Sequence, residues 1–208
     1  MPLYKTITVD SHTTLWIWKI TENQRDLLSG INLTHNSKER LRGMKSEMHQ
    51  RGFISVRCLL KVARYEDSDL YYNNFGKPFL KNGKQISITH SYHFSAIIIS
   101  NLPVGIDIEK QRDKIYNIYR KFIGKDLVEI KGALPEKVKT LTIIWGVKES
   151  LYKLIALPGL SFKKHITVNI WNHAQKNVKA TVSINEQVSE FTLGYLEFEG
   201  FTCVYVKP

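Results

Sequence analysis

Between Thr89 and Glu109 the sequence runs Thr89-His90-Ser91, then an apolar stretch from Ala96 to Ile99, a turn at Asn101-Leu102-Pro103, and Val104-Gly105-Ile106-Asp107-Ile108-Glu109. The two apolar pieces on either side of Asn101-Leu102-Pro103 have the length and bounds of strands, and their closeness predicts a hairpin. Alternation along the second piece puts Asp107 and Glu109 on one face and Ile106 and Ile108 on the other. Two carboxylates side by side repel unless a cation or a shared proton lies between them, so the spacing suits a hard ion such as Mg²⁺. The same spacing also suits two solvated residues at a strand end, and the pair alone leaves both readings open.

The chain has 208 residues, 43% hydrophobic and 24% charged, a mixture that can bury a real core in one large or two small domains. Lys and Arg outnumber Asp and Glu by 30 to 19, a net charge of +11, which favours polyanionic partners: nucleic acid, acidic lipid, an acidic protein or a phosphate-rich small molecule. Cys58 and Cys203 lie far apart with no Cys or His at metal-binding spacing, so no disulfide framework is expected and a reduced cytoplasmic compartment fits. The first ten residues lack a signal-peptide core, and no stretch approaches the ~20 apolar residues of a membrane span. The expectation is a cytoplasmic protein with no membrane contact.

Thr6–Val9 and Leu15–Ile20 read as short strands, with Trp16 and Trp18 destined for a core. Asn36 with Glu39 marks a helix start, and apolar residues from Leu41 to Ala63 recur at helical spacing, with Gly43 and Gly52 as potential breaks. That segment carries Lys38, Arg40, Arg42, Lys45, Arg51 and Arg57, either a solvated face or an anion site. Asn73 to Pro78 reads as a turn-rich loop presenting Lys77, and Asn82-Gly83 as a tight hairpin into the strand Gln85–Thr89. Ile115, Ile118, Tyr119 and Phe122 predict a helix ended by Gly124, and Asp126–Ile130 a short second one.

Pro135 opens a long helix that Pro158-Gly159 stops, with Val138, Leu141, Trp145, Tyr152 and Ile155 on one face. Glu149 and Lys153 lie one turn apart on it, the spacing of an ordinary surface ion pair. His165–Ile170, Val178–Ile184, Phe191–Phe198 and Phe201–Val206 read as antiparallel strands, with turns at Asn172–Asn177 and Glu199-Gly200. Strands, helix and strands occur in both halves. The expected fold is therefore α+β, a pseudo-duplicated two-lobe arrangement in which each lobe is a small antiparallel sheet packed with helices. Residues 1–102 form the N-terminal lobe and 103–208 the C-terminal lobe, with the active site expected between them.

Four pieces recur in order: Phe75-Gly76-Lys77-Pro78, Ile88-Thr89-His90-Ser91, Gly105-Ile106-Asp107-Ile108-Glu109, and Trp145-x-x-Lys148-Glu149-x-x-x-Lys153. Together they resemble the 4′-phosphopantetheinyl transferases, specifically the monomeric, two-lobed Sfp-like group, with similarity from Asn74 to Phe162. The resemblance implies transfer of the phosphopantetheine arm of coenzyme A to a serine of an apo acyl or peptidyl carrier protein, with release of adenosine 3′,5′-bisphosphate. It further implies Mg²⁺ held by Asp107, Glu109 and Glu149, with Glu149 as the candidate base and Lys153 on the pyrophosphate. Lys77, Thr89 and His90 match positions that contact the coenzyme A phosphates, Thr89 standing where the family usually has Ser.

The basic segment corresponds in place to the family's cradle for the adenosine 3′-phosphate, with Arg40, Arg42 and Arg51 as candidates. At Phe122-x-x-x-Asp126 the family commonly has Glu, so the side chain here is shorter by about one carbon bond, ~1.5 Å, and a supporting role is expected for Asp126. Residues of these types also suit a Mg²⁺-dependent phosphodiesterase or nuclease, and the basic surface a nucleic-acid-binding protein. On the family resemblance, no nucleic-acid partner is expected and a monomer is.

Overall fold

The computed structural model describes residues 3–172 and 174–207. Two compact units follow one another along the chain, the first ending at Pro103 and the second beginning at Val104.

In chain order the first unit comprises strands β1 (Leu3–Thr8) and β2 (Thr14–Lys19), helices α1 (Gln24–Leu28), α2 (His35–Arg42) and α3 (Glu47–Val62), and strands β3 (Leu70–Tyr72), β4 (Pro78–Leu80), β5 (Gln85–Ser91) and β6 (Phe94–Ser100). A four-stranded antiparallel sheet has the order β1-β2-β6-β5, and β3 and β4 form a separate ribbon. Every residue of β6 is buried, as expected of a central strand rich in isoleucine. Ile97 and Ile99 of β6 pack with Ile54, Leu59 and Leu60 of α3 into the core of this unit.

The basic helical segment is two helices. Thr34, not Asn36, caps α2 through its hydroxyl, α2 ends at Gly43, and Gly52 lies inside α3 without breaking it. The turn-rich loop expected at Asn73–Pro78 is the turn of a hairpin, and the two three-residue strands it joins, β3 and β4, were not expected. The turn is fixed by the Asn73 side-chain oxygen, which accepts from the amides of Phe75 and Lys77. Asn82-Gly83 joins β4 to β5, but these pair with β3 and β6 rather than with each other, so that turn closes no hairpin.

The second unit comprises β7 (Ile106–Lys110), α4 (Lys114–Ile118) extended by a 3₁₀ turn, α5 (Leu134–Ile155), α6 (Phe162–His165), β8 (Ile166–Asn172), β9 (Asn177–Ile184), β10 (Gln187–Phe198) and β11 (Phe201–Lys207). Its five-stranded antiparallel sheet has the order β7-β11-β10-β9-β8. In the turn expected at Asn172–Asn177, His173 lies outside the described residues. Leu141, Ile144, Val147 and Leu151 of α5 pack on Val168, Val178, Leu193 and Val204 to make the core. The α+β class holds, with a small antiparallel sheet and one long helix in each unit.

Two expectations fail on long-range pairing. The strands β6 and β7 do not form a hairpin: β6 is bonded on both sides, by β2 and β5, and β7 pairs with β11 in the other sheet. Asp126–Ile130 is not a helix. The Asp126 carboxylate accepts from the amide of Val168 at 2.8 Å, and the amide of Leu127 donates to the Val168 carbonyl at 2.9 Å, so the segment is tied to β8 instead of closing on itself.

Two glycines set how closely α5 lies on the sheet. A Cβ on Gly105 would sit inside the backbone carbonyl of Ser150, and one on Gly146 would be 2.6 Å from Val204 Cγ2. The Ser150 hydroxyl donates to the Val204 carbonyl at 3.0 Å within that contact. Among the described residues no helix is long and apolar enough to cross a membrane.

Candidate active site

The close seat of α5 brings Glu149 toward the strand that carries Asp107 and Glu109. On β7, Asp107 is opposite Val204 and Glu109 opposite Thr202 of β11. Asp107 is only 4% exposed, which removes the solvated-strand-end reading for it; Glu109 and Glu149 are half-buried. The Glu149 carboxyl is pushed up to about 7, first by burial and next by the negative charge of Asp107, with a smaller push from Glu109 and an opposing pull from Lys153. Asp107 and Glu109 both act on the Glu149 carboxyl.

Lys153 does not use its ammonium on Glu149 as a surface pair would. Its Nζ lies 2.8 Å from Asp107 Oδ1 and donates to the Ile106 carbonyl at 3.0 Å.

Among the described residues no group of three or more His, Cys, Asp or Glu side chains is drawn together closely enough to hold a metal ion as it stands. The donor chemistry of Asp107, Glu109 and Glu149 nevertheless fits a hard divalent cation. All three offer carboxylate oxygens, and their mutual repulsion, visible in the raised Glu149, is what such a cation relieves.

The other expected residues lie in the first unit. Lys77 is half-buried at the end of the β3–β4 turn, its ammonium 6.0 Å from the centre of the Phe79 ring, and burial lowers its pKa. Thr89 is buried on β5, and the neighbouring His90 is exposed, its ring 6.1 Å from that of His49 on α3.

Gly52 is why α3 can pass so near His90: a Cβ there would be 3.3 Å from His90 Cγ and 3.4 Å from Nδ1. Alanine in place of an interior helical glycine ordinarily stabilises by about 1 kcal/mol. At Gly52→Ala that gain is expected to be lost in displacing the imidazole. The His90 ring resonances should shift while thermal stability stays near that of the parent. Unmoved resonances together with a clear gain in stability would show that the contact does not constrain the ring.

The basic set divides. Arg57 is a core residue, 4% exposed, with Nε donating to Asp67 at 2.9 Å. Asp67 also accepts from the Thr34 amide and the Ser37 hydroxyl, anchoring the start of α2. Arg42 pairs with Glu39, and Arg51 donates to the Ile20 carbonyl at 3.3 Å. Arg40 is exposed, its guanidinium 5.0 Å from the Tyr72 ring centre and 5.6 Å from that of Phe53. Those two rings hold it without neutralising it.

Sequence reasoning assigned no role to Lys148, which is fully buried on α5. Its ammonium donates to Asp126 Oδ2 at 2.9 Å and to the carbonyls of Phe122, Phe162 and Ile166 at 2.8, 3.1 and 2.9 Å. Burial lowers its pKa, and Asp126 opposes that. The signal was present, since Lys148 falls on the stripe of Leu141, Ile144 and Leu151, where a lysine requires a buried counter-charge. Asp126 is thus bonded to Lys148 and to the amides of Gly124 and Val168.

An acidic cluster with an adjacent lysine, seated where a helix crosses an edge strand, is suited to chemistry on phosphate groups. A model of the 4′-phosphopantetheinyl transferase superfamily matches residues 103–206, half of the chain and the part that holds all three carboxylates and Lys153. The chain belongs to that superfamily, whose members place phosphopantetheine on carrier proteins. It is also similar to the 4′-phosphopantetheinyl transferase gsp of Aneurinibacillus migulanus, with 28% identity over 175 residues, which is 81% of this chain and 69% of that relative.

Proposed function

We propose that this protein transfers the 4′-phosphopantetheine arm of coenzyme A to a serine of an apo acyl or peptidyl carrier protein, with release of adenosine 3′,5′-bisphosphate. This is the activity of a holo-[acyl-carrier-protein] synthase type of phosphopantetheinyl transferase. The observation that carries the reading is the electrostatic coupling of Glu149 to Asp107 and Glu109 beside Lys153, inside the half of the chain that the family model matches.

Asp107, Glu109 and Glu149 are the residues that would hold Mg²⁺. When bound, such an ion neutralises pyrophosphate oxygens and makes the β-phosphorus a better electrophile. Glu149 accepts the serine proton, directly or through a water, as a carboxylate beside the reacting phosphate can. Lys153 binds the pyrophosphate and stabilises charge on the departing bisphosphate.

Lys77, Thr89 and His90 are assigned to the coenzyme A phosphates. Of the three arginines considered for the 3′-phosphate, Arg40 is favoured, because Arg42 is neutralised by Glu39 and Arg51 already serves the Ile20 carbonyl. The net charge of +11 suits both the anionic substrate and a carrier protein that is acidic around its modified serine. A cytoplasmic monomer that uses neither membrane nor nucleic acid completes the proposal.

Analysis of the small-molecule products tests it. Incubated with coenzyme A, Mg²⁺ and an apo carrier, the protein should release adenosine 3′,5′-bisphosphate in one-to-one ratio with modified carrier. Hydrolysis of coenzyme A or cleavage of added nucleic acid, with the carrier unchanged, would support a phosphodiesterase or nuclease instead.

A further inference from the structure

The ammonium of Lys153 rests on a carboxylate, Asp107, that is one of the three assigned to a divalent cation. It lies 2.8 Å from Asp107 Oδ1 and is braced by the Ile106 carbonyl at 3.0 Å. The Asp107 side chain is 6% exposed, so the carboxylate has little freedom to turn outward and serve two cations separately. The Lys153 side chain, at 28%, retains room to swing.

We propose that Lys153 and the divalent cation compete for Asp107, so that cation entry displaces the lysine and frees its ammonium for a phosphate group. This inference rests on the assignment of a cation to Asp107, Glu109 and Glu149. A positive charge placed against a ligand carboxylate weakens cation binding by direct repulsion and by holding the oxygen. Once the ammonium is on a pyrophosphate it no longer opposes the ion. Anionic substrate and cation therefore favour each other's binding, and the coupling is reciprocal. Lys153 is thus more than a fixed phosphate clamp: it moves between a carboxylate and the substrate, and the helix spacing that sets it beside Asp107 makes both positions reachable.

The test needs neither coenzyme A nor carrier protein. Mn²⁺ binding is titrated by electron paramagnetic resonance on the purified chain and on Lys153→Met and Lys153→Arg. Competition predicts that Lys153→Met binds Mn²⁺ about 10-fold more tightly than the parent, although it should transfer poorly, and that Lys153→Arg, which keeps the charge, stays within about 3-fold of the parent. Thermal melts with and without Mg²⁺ give a second readout that tolerates a weakened fold, because Lys153→Met should gain more in melting temperature from the ion than the parent does. Equal or weaker Mn²⁺ binding by Lys153→Met overturns the competition and leaves the transferase reading intact. Absence of Mn²⁺ binding in all three proteins overturns the cation assignment and the competition together. Loss of carrier modification in the parent, with the Mn²⁺ pattern as predicted, would instead contradict the transferase reading alone.

Discussion

Asp107→Ala is expected to lower carrier modification by at least ~100-fold at saturating Mg²⁺ while leaving the protein folded. Asp107 sits on the edge strand β7 with its carboxylate against Lys153 and close enough to Glu149 to raise that carboxyl. Truncation removes one of three oxygen donors from the proposed ion and releases Lys153 from its bracing point. Stability should suffer little, because Lys153 keeps the Ile106 carbonyl and is exposed enough for its ammonium to reach water. Asp107→Asn separates charge from shape: it fits the same space, and a comparable loss of rate would assign the effect to the missing charge. Turnover and melting temperature are the measurements. Near-normal turnover at saturating Mg²⁺ would remove Asp107 from the cation site.

Asp126→Asn should have the largest effect on stability, about 3 to 5 kcal/mol, because it strips the counter-charge from a buried ammonium. The side chains of Asp126 and Lys148 are 1% and 0% exposed. The pair gathers the carbonyls of Phe122, Phe162 and Ile166 around one nitrogen, and Asp126 also holds the amides of Gly124 and Val168. With the carboxylate gone, Lys148 must lose its proton or bury an unpaired charge, and either outcome loosens the packing of α5 on its own unit. Such a loss is a large share of the ~5 to 15 kcal/mol that holds a typical domain.

Urea unfolding measures the stability term, and transfer assayed well below the transition measures the chemistry. The folded fraction should keep activity within a few-fold of the parent. Parent-like stability with a deep loss of transfer would move the catalytic base from Glu149 to Asp126. Replacing both partners with apolar residues should recover part of the stability, since a buried ion pair and a well-packed apolar pair often differ little.

The elements that proved legible in the sequence are those written in local pattern. Pro135 and Pro158-Gly159 bracket a helix that spans Leu134–Ile155, and alternation marks β8 to β11 to within a few residues. The same alternation put Asp107 and Glu109 together, and helical spacing put Lys153 one turn from Glu149. What local pattern does not carry is the partner. The turn at Asn101-Leu102-Pro103 suggested that β6 and β7 pair, yet β6 has both edges taken and β7 finds β11 far along the chain.

Lys153 could be expected to meet Glu149, its neighbour on the helix, but it meets Asp107 on the strand below. Asp126–Ile130 reads as a short helix, and the bonds of Asp126 and Leu127 to Val168 override that reading. The ribbon β3–β4 was hidden because three-residue strands are too short for alternation to register. For β7, Lys153 and Asp126 the deciding contact is between residues distant in sequence, where propensity and periodicity have nothing to say.

The mass of an apo carrier protein after incubation with coenzyme A, once with Mg²⁺ and once with a chelator in excess, addresses the role of the three carboxylates most directly. The expected result is a gain of one phosphopantetheine arm with Mg²⁺ and none with the chelator. A carrier of unchanged mass under both conditions would contradict the transfer, and an equal gain under both would contradict the assignment of Asp107, Glu109 and Glu149 to a divalent cation.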